Sequence, residues 1–165
     1  RRIAYVVGPL EQRAANDRFE GYKAALAESE IEINPALIGY GDDHFVTGFA
    51  VVQKILEVKP RPTAVFCNND EMAAGANAAV FDSGLRVPAD VSVAGFDDVA
   101  LSHQIWPSLT TIRQPIYEIA EVATNLLLSV LNGEEADGTF REIPTRLIVR
   151  QSTGPPAADS QRQMS

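Results

Sequence analysis

The sequence predicts an α/β fold built on a doubly wound parallel sheet, and three observations carry that expectation. Short β-branched runs alternate with amphipathic stretches, four strand–helix units follow one another, and polar side chains gather where each of the four strands ends. The first strand covers residues 3–7 and is ended by Gly8 and Pro9. A helix follows over residues 14–28, with Phe19, Tyr22 and Leu26 spaced for one face. Residues 35–40 read as the second strand, ended by Gly41. Phe45, Phe49, Val52 and Leu56 mark the next helix, which stops before Pro60. Residues 63–67 give the third strand. The helix over residues 70–83 has Met72, Ala76, Ala79 and Val80 as its apolar stripe, with Gly84 placed to cap its end. Residues 91–94 form the fourth strand, ended by Gly95.

After the fourth strand the rhythm changes. Residues 109–113 are a brief extended segment. Ile116, Ile119, Ala120, Ala123, Leu126, Leu127, Val130 and Leu131 then give a long helix with a wide apolar face, closed by Asn132 and Gly133. Residues 143–149 are extended and interrupted by Pro144. From Gly154 onward the chain has nothing to bury, so one domain is expected over residues 1–152 and a disordered tail over 153–165. No internal repeat is visible.

Composition narrows the class. At 165 residues, with 45% apolar and 22% charged residues, the chain suits one domain with a substantial core. The formal charge is −8 and no block of Lys or Arg stands out, which argues against a nucleic-acid surface on this segment. The single cysteine, Cys67, cannot form an internal disulfide and fits a reducing, cytoplasmic compartment. No apolar run approaches the roughly 20 residues that span a bilayer. The chain opens directly on a strand, so a fragment of a longer protein is expected, and the missing amino-terminal signals carry no weight.

In doubly wound sheets, ligands bind outside the carboxyl ends of the strands. Here those ends carry Glu11, Gln12 and Arg13; Asp42, Asp43 and His44; Asn68, Asn69 and Asp70; and Asp97 and Asp98. That convergence points to a polar small molecule. His44 and His103 are isolated, and with one cysteine no metal site is expected. Ser102 and His103 lie in no Gly-x-Ser-x-Gly elbow, and neither a phosphate loop nor a dinucleotide fingerprint is present, so neither catalysis nor a cofactor is expected.

Several segments, in order, carry a family resemblance. They are residues 18–22 (RFEGY), 62–66 (PTAVF), 69–75 (NDEMAAG), 84–98 (GLRVPADVSVAGFDD) and 109–115 (LTTIRQP). Together they resemble the LacI/GalR-type (lactose/galactose-repressor) transcription regulators, as far as about Ser152. The resemblance implies a two-lobed, periplasmic-binding-protein-like effector domain of type I. This chain would then be the carboxyl-terminal lobe plus a crossover helix over residues 116–132. It further implies a homodimer, a sugar or sugar-derivative effector, and operator DNA bound by an amino-terminal helix-turn-helix outside this sequence. No cofactor and no membrane contact are implied.

Site residues follow from the same resemblance. Arg18 falls where the family places an arginine in the cleft, able to donate two parallel hydrogen bonds. Asp97, the first of its pair, is the implied ligand contact, with Asp98 read as structural. Asn69 sits at a contacting position of sugar-responsive members, while Asp70 is read as the cap of the next helix. Gln12 and Ala14 align with positions that vary with the effector, and Gln12 stands where purine-responsive members carry an arginine. Asp43 replaces an aromatic that stacks on the ligand in many relatives. Either Phe45 swings in, or the ligand is more polar and less planar than a stacked hexose, or Asp43 is an ordinary solvated residue. Gln114 begins the crossover and reads as a hinge residue that could also touch ligand.

Two surface expectations complete the reading. Dimer contacts are placed on the helix over 70–83, through Ala74, Asn77 and Ala78, and on residues 100–106. The helix over 116–131, without the other lobe, is expected to fold back on this one or to pair with a second copy. A binding protein of a sugar-uptake transporter shares fold and site chemistry and is the alternative; an enzyme on the same sheet would need a nucleophile, base or cofactor loop that is not found.

Overall fold

A computed structural model describes residues 2–133 and 141–156. Its six-stranded sheet has the order β2-β1-β3-β4-β5-β6, parallel except for the last strand. The elements run β1 (Ile3–Val7), α1 (Arg13–Glu28), β2 (Ile38–Tyr40), α2 (Phe45–Glu57), β3 (Ala64–Cys67), α3 (Asp70–Asp82), β4 (Ser92–Asp97), α4 (Leu101–Gln104), β5 (Thr110–Arg113), α5 (Ile116–Leu131) and β6 (Arg146–Ile148). The expected α/β class and parallel order are present.

Strand period two divides the core. Ala4 and Val6 of β1 face one cluster with Val52 and Ile55 of α2 and Met72, Ala76 and Val80 of α3. Tyr5 and Val7 face the other, with Tyr22 and Leu26 of α1. The strands are thus covered on both faces, as crossover connections require. Gly84 takes φ +72 just past α3, where a left-handed residue closes the helix.

Three expected boundaries differ. Residues 35–40 are not one strand: Pro35–Leu37 is a 3-10 turn, capped by the Asn34 side chain accepting from the Ala36 amide at 3.0 Å, and only Ile38–Tyr40 pairs with β1. Strand β4 does not end at Gly95 but runs to Asp97. The glycine is there for close approach, since a Cβ would lie 2.5 Å from Asp70 Oδ1 and 3.0 Å from Leu109 Cδ2. The hydrogen-bonded chain also continues two residues past 152. Thr153 bonds Thr110, and the Gly154 amide donates to Ser92 Oγ at 3.1 Å. The rest of the expected disordered tail, from residue 157, lies outside the described residues.

Helix α5 overturns the expectation that it folds back. None of its residues is buried; Ile119 is 40% exposed and Leu127 59%. Helix α1 covers β1 on one face, and α2 and α3 cover the other face of the sheet; α5 joins neither cluster. The residues of the expected dimer face, Ala74, Asn77, Ala78 and Trp106, line one groove. Ala74 and Asn77 are buried within the chain, and Asn77 donates its amide to the Trp106 carbonyl at 3.0 Å. Beside them Phe81 and Trp106 are each 83% exposed.

Candidate functional site

The carboxyl ends of β1, β3 and β4, with the turn after β5, bring together most of the expected site residues. On α1, Ala15, Tyr22 and Leu26 turn inward, and Arg18 lies on the border of that face, one turn before Tyr22. Its guanidinium donates to the Asn68 carbonyl at 2.9 Å, approaches Asp97 Oδ1 at 3.5 Å, and covers the Phe96 ring with 4.0 Å from Cζ to the centroid. Gln114 donates its amide to the same Asp97 oxygen at 2.5 Å. Arg18, Asp97 and Gln114 therefore form one cluster, with Gln114 holding the Asp97 carboxylate.

Asp97 and Asp98 sit side by side on a strained turn, with φ +110 and +60. Burial pushes the Asp97 carboxyl above its ordinary value, with the Asp43 charge adding to that, against the Gln114 bond and the Arg18 charge. Asp98 goes the other way. Burial alone would raise it, but bonds from Arg150, Arg113 and Ser102 hold it below the usual value. Its side chain is 2% exposed and joins Arg113, Arg150 Nη2 at 2.5 Å and Ser102 Oγ at 3.0 Å. The structural role expected for Asp98 matches this geometry. The same geometry disposes of a Ser102–His103 dyad: the hydroxyl faces the Asp98 carboxylate and the Arg150 guanidinium.

A second group forms around Asp43. Asp42 Oδ1 accepts from the Thr47 hydroxyl at 2.5 Å and from the His44 amide at 3.2 Å, which closes the turn before α2. The Thr47 bond, with the His44 amide, keeps the Asp42 carboxyl below its ordinary value. Asp43 then takes φ +71. Its Oδ1 accepts from Asn68 Nδ2 at 2.8 Å and its backbone carbonyl from Asn69 Nδ2 at 2.9 Å. Asn69 Oδ1 accepts from the Met72 amide at 2.9 Å. Asn69, not Asp70, is thus the cap of α3, and that duty occupies part of its amide. Asp70 is 1% exposed and reaches under the sheet end instead, accepting from the Val99 amide at 2.9 Å and the Thr111 hydroxyl at 2.5 Å. Burial pushes its carboxyl up to about 6. One buried carboxylate so fixes the loop carrying Asn69, the loop after Asp97, and β5 just ahead of Gln114.

Gln12 and Ala14 are not drawn into this network. Both are exposed; Gln12 precedes α1, and its side chain makes no capping bond. Phe45 does not swing into the crevice: it lines an apolar groove of about 770 Å³ with Ala78, Phe81, Ile105 and Trp106. That groove is larger than the cavity of about 640 Å³ that opens on Asp97, Gln114, Pro115 and Tyr117. Sequence reasoning counted Asn68 among the strand-end polar groups but did not single it out as a site residue. It is 1% exposed and holds both Asp43 and, through its carbonyl, Arg18. Two consecutive amides at a strand end were the available signal. Among the described residues, no three His, Cys, Asp or Glu side chains form a metal site, and no helix is long and apolar enough to cross a membrane.

Residues 1–153 match the family model described as periplasmic binding protein-like domain. The chain is 40% identical over 153 residues to the HTH-type transcriptional repressor CytR of Escherichia coli strain K12, covering 93% of this chain and 45% of that protein. It superposes with TM-score 0.85 on a complex of the transcriptional regulator CelR with cellobiose, at 34% identity, covering 92% of this chain and 46% of the other. It superposes with TM-score 0.87 on a dimeric Lac repressor carrying an 11-residue carboxyl-terminal deletion, at 35% identity, covering 94% and 56%. These are regulators, so the transporter alternative is not favoured. The chain spans about half the length of the curated relatives it matches. With this match over nearly the whole chain, and with its cluster of polar side chains at the strand ends, the chain belongs to the periplasmic binding protein-like domain family in the form found in LacI-type transcription regulators.

Proposed function

We propose that this chain is the carboxyl-terminal lobe of the effector domain in a cytoplasmic, DNA-binding transcription regulator, and that its effector is a sugar or sugar derivative. The convergence of Arg18, Asp97 and Gln114 carries the reading. A guanidinium fork, an acceptor-only carboxylate and an amide are the donors and acceptors that vicinal hydroxyls need. Strain supports it: of the four described residues with positive φ other than glycine, three, Asp43, Asp97 and Asp98, belong to the strand-end crevice, and the fourth, Glu30, follows α1. The relative solved with cellobiose is similar over the whole of this lobe.

The effector acts by favouring one closure of two lobes over another, and shifts operator affinity only by its differential affinity for the two states. The regulator works as a homodimer whose contact includes Phe81, Ala78 and Trp106 beside the α3 groove. The test is operator release by the full-length regulator. Arg18→Ala should bind operator with unchanged affinity yet no longer respond to the sugar that releases the wild type. An unchanged response midpoint would remove Arg18 from the site.

A further inference from the structure

In the strand-end crevice, Asp43 differs from Asp97 and Asp98 in having no guanidinium partner. Arg18 is already engaged by the Asn68 carbonyl, by Asp97 and by the Phe96 ring. Asp98 has two arginines of its own. Among the described residues, the one side-chain partner of the Asp43 carboxylate is Asn68, at 2.8 Å. That contact is built in. Gly8 leaves the room for it, since a Cβ there would lie 2.2 Å from Asn68 Nδ2 and 2.8 Å from Asp43 Oδ1. Asn68 itself is 1% exposed and its Oδ1 has no hydrogen-bond partner, so this corner of the crevice holds a carboxylate and an unpaired amide oxygen with no cation between them.

We propose that Asp43 is a specificity-determining residue of this cleft, selecting donor-rich sugars that are neutral or cationic over sugar acids and sugar phosphates. The inference rests on the sugar-effector reading above. Beside Asp43 stand a second carboxylate, Asp97, and one guanidinium, Arg18, that is already engaged, so an anionic substituent brought there meets net repulsion at low dielectric. A hydroxyl or ammonium in the same place donates to the carboxylate in a charge-assisted bond. Flat stacking is not available from this wall, because a carboxylate cannot stack and Phe45 turns to the α3 groove instead.

The test uses the full-length regulator and a thermal-shift panel of glucose, cellobiose, mannitol, glucosamine, glucuronate and glucose 6-phosphate. The compound giving the largest rise in Tm is then titrated against the wild type and Asp43→Asn. Asparagine tolerates the left-handed backbone at 43 and keeps an acceptor for Asn68, so the variant should match the unliganded Tm of the wild type. The expected result is a neutral or cationic best binder whose Kd rises by about tenfold or more in the variant. A best binder that is anionic overturns the inference and leaves the sugar reading standing. So does a neutral best binder with the same Kd for both proteins. If no member of the panel shifts Tm, the sugar reading fails and this inference falls with it.

Discussion

The strand-end crevice and helix α5 are opposites in how they are held. In the crevice nearly every polar group has a partner within the chain: Asp98 takes Arg113, Arg150 and Ser102, Asp70 takes Val99 and Thr111, and Asp97 takes Arg18 and Gln114. On α5, the apolar residues that define its broad face are left exposed, Leu126 at 37% and Leu131 at 71%. Among the described residues, the polar groups of the crevice are held by bonds within the chain, while nothing buries the apolar face of α5.

The largest expected effect breaks the crevice side of that contrast. Asp98→Ala leaves Arg150, 10% exposed, without its carboxylate, and should cost about 3 kcal/mol in urea unfolding, because an uncompensated buried charge remains. A loss below about 1 kcal/mol, the range of an exposed ion pair, would mean that the node holds nothing together. Gly95→Ala comes next. Its Cβ would press on Asp70 Oδ1 and Leu109, and the cost expected for such overpacking is about 2 kcal/mol.

The pH dependence of stability sharpens the same point. Asp70 and Asp97 both have carboxyls raised by burial, Asp70 to about 6. A raised folded pKa means that the native state binds the proton more tightly than the unfolded chain. The contribution is therefore fully present below the ordinary carboxyl pKa and is lost as pH rises through about 6. Stability should be greater at pH 5 than at pH 7, and Asp70→Asn should flatten that slope. Below about pH 4 the trend reverses as the lowered carboxyls of Asp98, Asp90 and Asp42 take up protons. A slope of the opposite sign between pH 5 and 7 would contradict the burial argument.

The smallest expected effect lies on the other side of the contrast. Leu127→Lys should change the stability of this chain by no more than about 0.5 kcal/mol, as for exposed surface positions. A cost of several kcal/mol in the same chain would mean that α5 is covered after all.

Periodicity made the strands and helices legible, because each face of the sheet imposes period two and each amphipathic helix its own spacing. It failed where side-chain chemistry overrode it. Residues 35–40 have a strand-like composition, yet Asn34 and Pro35 start a 3-10 turn. Gly95 looked like a terminator, and only the position of Asp70 beneath it explains why the strand continues. In the site, Arg18, Asp97 and Gln114 were legible through family resemblance and are brought together as one cluster. The capping role expected of Asp70 falls to Asn69, since both residue types can cap and only three-dimensional reach separates them. Asn68 was hidden because a buried amide at a strand end looks like any loop residue until its partners are known.

The central claim, that the strand-end crevice binds the effector, is tested most directly by calorimetric titration of the best stabilising sugar into full-length wild type and Asp97→Ala. Asp97 joins Arg18 and Gln114, and removing it deletes the shared acceptor while leaving the Asp98 node in place. The account predicts that the variant folds, binds operator as the wild type does, and has a sugar Kd weakened by about tenfold or more. An unchanged Kd in a folded variant would contradict it.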